Sequence, residues 1–393
     1  MKGLFLGAGA SYEVGMPLVS ELSNMICQLV LHKLNSKLFD FKGNTLLKKI
    51  FETLLKDKKL SYEQILEALE NKYIGERNKG QDIWNIISQF IECIQLILLE
   101  DHGKTLAFFK RKVRDYKGIE NLLDGMSPVH VFSLNHDVVF EEICSYFQMP
   151  LKDGFYNRES KYRTIANFKT LTKAEIEQGK FDFYKDGECG INLLKLHGAV
   201  DLFAVDDKNM FLKSFGDGKE FGSYYNEILK IERHNHATME RHHVRATNEL
   251  QVYDSENTLQ FLRRSLLSGG HKFQGKFGQI VPVEFLKLFQ EQLTKIDHLT
   301  VIGYGFGDGH INTILNRWMG VGVNKMVIYD PYRFKEPEFL VAYQARIELI
   351  QQGLTDFFDS SAPTEKKSKR INRCINAKIR ENLKRKRESY KVY

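Results

Sequence analysis

Short apolar runs alternate with longer helical stretches along much of the chain. Residues 2–11 read as an apolar run that enters a glycine turn, and similar runs occupy 129–134, 191–196, 299–304 and 325–329. From Leu18 onward the apolar residues recur every three to four positions, which is the spacing of an amphipathic helix. Short apolar strands separated by helices are typical of a parallel sheet covered on both faces. The pattern therefore predicts an α/β fold with helices on both faces of a parallel sheet.

A long helical block interrupts this alternation. Residues 45–116 carry helical periodicity with Gly/Asn/Lys-rich turns between the helices, and we interpret them as a helical insertion. The apolar stripe in this block is most simply core, although such a stripe also suits a contact with a second subunit; it consists of Ile87, Phe90, Ile94, Ile97 and Leu98. Residues 151–185 and 205–275 lack a regular pattern, and we expect long connections or a small cap there.

The charge of the chain is concentrated at its C-terminal end. The 393 residues carry a formal net charge of +7, and residues 365–393 alone contain twelve Lys or Arg and three Glu. We predict one folded domain over 1–358 and a basic tail over 359–393. Such a tail is usually a solvated, partly helical segment, and the alternative is a contact with nucleic acid or an acidic partner protein.

The cysteines and the N-terminus exclude several classes of protein. Five cysteines without any C-x-x-C pair favour a reducing cytoplasm over a disulfide scaffold or a cysteine-rich zinc site. The apolar run after Lys2 is too short for an export signal, which needs about 7–15 apolar residues. The most apolar stretch, 90–99, is also too short for a membrane span. We expect a cytoplasmic protein with no membrane contact.

Four of the predicted strands open into loops that are suited to binding or catalysis. Ligands of parallel sheets collect beyond the carboxyl ends of the strands. Residues 7–11 (GAGAS) let backbone N–H groups approach a phosphate, and are equally typical of a tight turn. Asn135 and Asp137 follow the second strand, where such residues are also common turn formers. His197 follows the third and suits either a base or a structural role, and the glycine-dense segment 303–312 follows the fourth.

In this order, the four loops resemble the motifs of the sirtuin-like family, which binds NAD in a Rossmann-type domain and cleaves its nicotinamide–ribose bond. The resemblance implies that residues 7–11 cradle the phosphates, that Asn135 faces the nicotinamide ribose, that Asp137 faces the carboxamide, and that His197 is catalytic. The loop at 303–312 resembles the version in the bacterial defence branch and is implied to contact the adenosine half. The implied catalytic residues are Asn135 and His197, and the implied NAD-binding residues are Gly7, Ala8, Gly9, Ser11, Asp137, Gly303, Tyr304, Gly305, Phe306, Asp308 and His310.

Departures from the family pattern bear on the activity. The zinc-binding cysteine pairs of deacylating sirtuins are absent, and Leu18-Val19-Ser20 stands where those enzymes carry Asp-Phe-Arg. The helical block resembles bacterial NAD hydrolases of anti-phage defence, which are often paired with a HerA-type hexameric ATPase. We therefore expect an NAD hydrolase without a metal, activated by homo-oligomerisation or such a partner. An ADP-ribosyl transferase, a deacylase, and a non-catalytic nucleotide sensor with a nucleic-acid-binding tail are the alternatives.

A histidine-rich stretch lies outside these motifs. It contains His234, His236, Glu240, His242 and His243. His236 and Glu240 would share a helix face, but His242 and His243 would point apart, so this spacing favours an exposed polar connection over a metal site.

Overall fold

The apolar runs predicted as strands join one parallel sheet in the computed structural model of this chain. The sheet has the order β13 (Ile347–Ile350), β12 (Lys325–Tyr329), β11 (His298–Ile302), β1 (Lys2–Leu6), β2 (Val129–Ser133), β6 (Ile191–Lys195), β3 (Leu151–Lys152). All six pairings between neighbouring strands are parallel. The predicted α/β class, with a Rossmann-like parallel sheet, is therefore confirmed.

The structure describes residues 2–39, 41, 44–75, 80–123, 125, 127–158, 162, 167–205, 208–266, 268–270, 272, 281–359 and 367–392. Residues 360–366, through which the chain enters the predicted basic tail, lie outside this set. Within it, the helices are α1 (Ala8–Tyr12), α2 (Val19–Asn35), α3 (Thr45–Lys56), α4 (Tyr62–Gly75), α5 (Gly80–Lys112), α6 (Val139–Tyr146), α7 (Lys173–Glu177), α8 (Ser223–His242), α9 (Glu284–Thr294), α10 (Gly309–Met319), α11 (Leu354–Asp359) and α12 (Lys367–Glu388).

Helices cover both faces of the sheet because the side chains of a strand alternate between them. On β1, Phe5 packs in one apolar cluster with residues of α9 and α10. Leu4 and Leu6 belong to a second cluster with residues of α6, α11 and the 3-10 segment Val113–Leu123. The side chains of β1 are thus buried on both faces of the sheet, which explains why its sequence is continuously apolar.

The block predicted as a helical insertion contains α3, α4 and α5, which pack with α2 around a core of their own. The stripe considered for a second subunit is buried inside this core, with Ile87, Phe90 and Ile94 fully enclosed. Among the described residues, the stretch Asp82–Leu123 is long and apolar enough to cross a membrane, and 61% of its most apolar window is buried in the protein.

Residues 151–185 and 205–275 were expected to form long connections or a small cap, and the expectation of long connections is wrong. Much of this sequence builds α8 and a second, antiparallel sheet in the order β4 (Tyr156–Asn157), β5 (Phe168–Thr172), β8 (Met210–Ser214), β7 (Gly198–Val205), β10 (Leu259–Leu266), β9 (Glu249–Tyr253). The strands are hard to recognise because they bury charged residues. Lys213 in β8, for example, is 3% exposed and forms ion pairs with Glu141 and Asp153 at 3.5 and 3.1 Å.

The strand order places a reversal point at β1. The chain leaves β1 for β2 on one side, and it later returns to β11 on the other side of β1. In open parallel sheets, ligands bind in the crevice at the carboxyl ends of the strands where the order reverses. The loops after β1, β2 and β11 therefore form the edge of the sheet that is topologically suited to a ligand.

Candidate active site

The strand pairings bring four loops together at one edge of the central sheet. Leu6, the last residue of β1, lies opposite both Ile302 and Ser133. Ser133 in turn lies opposite Lys195, the last residue of β6. Because the predicted loops begin directly after these residues, all four lie side by side.

The glycine loop after β1 packs tightly on the loop after β11. The Gly7 N–H donates to the Ile302 carbonyl at 3.0 Å, and the Gly9 N–H donates to the Gly303 carbonyl at 2.8 Å. A Cβ on Gly9 would lie 2.7 Å from the Cα of Gly303, whose φ of 62° itself favours glycine. Two N–H groups of the predicted phosphate cradle are therefore committed to the fold, whereas Ala8 lines the adjoining cleft.

The loops line a cleft of about 1500 Å³. The predicted site residues that line it are Gly7, Ala8, Gly9, Asn135, Asp137, His197, Gly303, Tyr304, Gly305, Asp308 and His310. Ser11 instead lies beneath the glycine loop and is 4% exposed. Phe306 packs against the rings of Tyr304 and Phe339, with centroids 4.6 and 6.0 Å away, so this side chain supports the loop from behind.

Asn135 and Asp137 are held through the hydroxyl group of Ser11. The Asn135 Nδ2 donates to the Gly7 carbonyl and to Ser11 Oγ, both at 3.0 Å. Ser11 Oγ donates to Asp137 Oδ1 at 3.0 Å, and the Val139 N–H donates to the same oxygen at 3.0 Å. Because the Gly7 carbonyl can only accept, these bonds orient the Asn135 amide and commit both Nδ2 hydrogens.

His197 is backed by a chain of charged residues that the motifs did not reveal. Its Nε2 lies 3.2 Å from Asp308 Oδ2. Lys272 Nζ lies 3.0 Å from the same Asp308 oxygen and 2.9 Å from Glu63 Oε1. Asp308, which was predicted to bind NAD, directs Oδ2 towards His197, and its Oδ1 caps α10 by accepting from the His310 N–H. Neither Lys272 nor Glu63 was predicted, because a lone Lys in a Gly/Lys-rich stretch and a helical Glu carry no local signal.

Burial and charge set the protonation states of this chain. Burial, and secondly the Lys272 charge, lower the pKa of His197 below its ordinary 6.5. Burial alone would raise the pKa of Asp308, but its bonds to His197 and Lys272 hold that pKa well below the ordinary value. His197 is therefore neutral at pH 7 and faces an ionised carboxylate, which is the protonation state of a base with an orienting partner.

A buried charge cluster supports the loop that carries Asn135. Lys195 Nζ donates to the backbone carbonyl of Asp137 and to Glu141 Oε1, the latter at 3.1 Å. Glu141 also pairs with Lys213 of the second sheet. This cluster, which was not predicted, ties the loop after β2 to both sheets.

The C-terminal helix α12 closes one side of the cleft. Its residues that line the cleft are Arg373, Cys374, Asn376, Ala377 and Arg380. Farther along the helix, Arg387 is 3% exposed and donates to Glu21 Oε2 at 2.7 Å, to Asp101 Oδ1 at 3.1 Å and to the Gly15 carbonyl. The described part of the predicted tail is thus packed against α2, and the expectation of a solvated segment is wrong for this face of the helix.

The histidine-rich stretch lies away from the cleft on α8, so the expected connection is a helix. His243 follows it in the left-handed conformation. No group of three or more His, Cys, Asp or Glu side chains placed to hold a metal ion occurs among the described residues.

Among the solved structures that match this chain, two illustrate the low level of similarity. One, described as the structural basis of sirtuin substrate affinity, is 13% identical, with a TM-score of 0.36 over 92% of this chain and 93% of the other. The second, described as the structural basis for the mechanism and regulation of Sir2 enzymes, is 15% identical, with a TM-score of 0.34 over 98% and 92%. No family model matches, and no curated protein matches. The functional assignment therefore rests on the residues of the cleft.

Proposed function

We propose that this cleft hydrolyses NAD to nicotinamide and ADP-ribose. The observation that carries the proposal is the placement of Asn135 and His197 beyond the paired ends of β2 and β6, with Asp308 behind His197. An amide and a neutral, carboxylate-backed imidazole in one cleft are the groups needed to position and deprotonate water. The cleft lies at the reversal point of the sheet, where this class of fold binds dinucleotides.

The reaction breaks the bond between the ribose C1 and the nicotinamide nitrogen. The bonding electron pair goes to the ring nitrogen and neutralises the pyridinium, while the ribose passes through an oxocarbenium-like state. The oxygen of water then bonds to C1. The neutral imidazole of His197, whose Nε2 lies 3.2 Å from the Asp308 carboxylate, takes the proton of the water.

Asn135 and Asp137 position the two sides of the scissile bond. Because both Nδ2 hydrogens of Asn135 are committed, its Oδ1 is the atom that accepts from the water or from a ribose hydroxyl. Asp137 uses Oδ1 to accept from Ser11 and Val139, so we assign its Oδ2 to the nicotinamide carboxamide. Burial raises the pKa of Asp137, whereas the charge of Lys195 and the hydrogen bonds from Val139 and Ser11 favour the ionised form.

The test is a time course of NAD loss, with nicotinamide, free ADP-ribose and protein-bound ADP-ribose measured separately. We expect equal amounts of nicotinamide and free ADP-ribose from the wild type, and a loss of about 10²-fold or more in Asn135→Ala and His197→Ala. The matched controls are Asn316→Ala, on the exposed face of α10, and His298→Ala, which is 53% exposed at the opposite edge of the sheet. If NAD binds but is not cleaved under any condition, hydrolysis is refuted. If ADP-ribose is recovered bound to protein, the reaction is a transfer.

The biological setting is a further part of the proposal. We propose that NAD is depleted in anti-phage defence, and that a homo-oligomer or a HerA-type ATPase activates the enzyme; the family motifs alone support this. The assay is therefore run with and without a co-expressed ATPase partner. Turnover only in its presence is the expected result for a partner-activated enzyme.

A further inference from the structure

Three arginines of α12 form one stripe that faces the body of the protein. Arg373, Arg380 and Arg387 are spaced by seven residues, nearly two helical turns, so they lie on the same side of the helix. The first pairs with Asp356 at 2.6 Å, and the last pairs with two buried carboxylates. The middle arginine lies between these two anchored positions and lines the cleft.

Arg380 is the cation of the cleft whose charge has no protein counterpart among the described residues. The other Lys and Arg side chains that line the cleft are paired: Lys112 with Asp115 at 2.9 Å, Lys272 with Glu63 and Asp308, and Arg373 with Asp356. Arg380 is half-buried and has no hydrogen bond or ion pair to any residue in that part of the chain. A guanidinium held this way in a cleft favours an anionic ligand.

Arg380 lines the same cleft as Tyr12 and Glu13, the residues at the end of the glycine loop. Its charge acts on the hydroxyl groups of Tyr12, the last residue of α1, and Tyr116; burial raises the pKa of both, and Arg380 opposes this. The acidic residue there, Glu13, already accepts from the Thr355 N–H at 3.0 Å and from the Tyr116 hydroxyl at 3.4 Å. Arg380 is therefore left to a ligand of the loop.

The glycine loop itself offers few hydrogen-bond donors and no positive charge to a phosphate. Two of its N–H groups are committed to carbonyls of the β11 end, and Leu18-Val19-Ser20 provides no basic side chain after the loop. We infer that Arg380 of the C-terminal helix binds the diphosphate of the dinucleotide. This rests on the proposed function for the identity of the ligand, and it makes part of the basic segment a wall of the site.

The test compares two ligands that differ in the phosphates, ADP-ribose and adenosine, by calorimetric titration of the full-length protein. We expect Arg380→Gln to weaken ADP-ribose binding about tenfold or more, the scale of a charge-assisted hydrogen bond, with adenosine unchanged. Arg380→Lys keeps the charge and should lose less. Arg385→Gln is the matched control, because Arg385 is exposed on the same helix and pairs with Glu381. Thermal melts check that each variant is folded.

The possible results separate this inference from the proposed function. Unchanged ADP-ribose affinity in Arg380→Gln, or an equal loss for adenosine, would overturn the role of Arg380 even if NAD is hydrolysed. A selective loss for ADP-ribose in a protein that releases no nicotinamide would support Arg380 and refute the hydrolase. Wild-type protein that binds no ADP-ribose would overturn both.

Discussion

The Nε2 atom of His197 lies 3.2 Å from Oδ2 of Asp308, and this contact joins two loops that are distant in the sequence. His197 follows β6, and Asp308 is the N-cap residue of α10, which follows β11. The contact therefore depends on the strand order of the sheet, in which only β1 and β2 lie between β11 and β6. A carboxylate in this position holds one tautomer of the imidazole and stabilises its protonated form during proton transfer. We therefore expect Asp308, which the family resemblance implies to bind NAD, to position His197 if His197 is the base.

Asp308→Asn tests this role directly. Asparagine keeps the N-cap of α10, so the fold should be retained, but it removes the charge that orients His197. We expect kcat for NAD cleavage to fall by about 10²-fold, with a melting temperature close to that of the wild type. Asp297→Asn, which changes an exposed carboxylate at the opposite end of β11, is the control. Activity within twofold of the wild type would exclude a role for the Asp308 carboxylate in catalysis.

Lys272→Met tests how the pKa of His197 is set. The described groups that face His197 are Lys272, Asp308, Glu63 and His136, and the Lys272 charge lowers its pKa whereas the two carboxylates raise it. Removing the cation therefore raises the pKa of His197. Because the base must be neutral, the acidic limb of the pH profile of kcat/KM should move to higher pH. Lys287→Met, on the exposed face of α9, is the control and should leave the pH profile unchanged. An unchanged profile in Lys272→Met would show that the charge of Lys272 does not influence the pKa of His197.

The sequence predicted the central strands and the loops that follow them, but not the contact partners of Asp308. The central strands and the loops after them are local patterns, a run of apolar residues followed by glycine or a polar side chain, and they were predicted close to their observed bounds. The contact partners of Asp308 depend on strand order, which such patterns do not encode. Lys272 and Glu63 reach it from separate elements for the same reason.

The second sheet and the packing of the C-terminal helix against the body were missed for a different reason. Lys213 is buried in β8 because it meets Glu141 and Asp153 from other segments, so its strand does not look apolar. Arg387 stands in a run of basic residues, and nothing local separates it from its exposed neighbour Arg385. A buried charge is recognised only when its partners are known.

Gly9→Ala tests the close approach of the two loops after β1 and β11. The added Cβ would lie 2.7 Å from the Cα and 2.9 Å from the carbonyl oxygen of Gly303, and these backbone atoms are already fixed by the hydrogen bond from Gly9. We expect a loss of about 1–3 kcal/mol in the free energy of unfolding, measured by urea denaturation, together with weaker binding of ADP-ribose. Gly322→Ala is the control, since no atom lies within 4 Å of its added Cβ. Equal stability of the two variants would show that the loops can separate at little cost.

Arg387→Ala tests whether the C-terminal helix is part of the folded unit. The substitution leaves the carboxylates of Glu21 and Asp101 buried without their cation, which costs about 3–5 kcal/mol in the free energy of unfolding. Burial already raises the pKa of both acids, and Arg387 opposes that shift. In the variant both pKa values rise further above those of the unfolded chain, so the loss is largest near pH 7 and shrinks as the acids become protonated toward pH 4. Urea denaturation at pH 7 and pH 4 measures this loss in the free energy of unfolding, with Arg385→Ala as the control. A small loss, or an equal loss at the two pH values, would mean that Arg387 does not stabilise the ionised carboxylates.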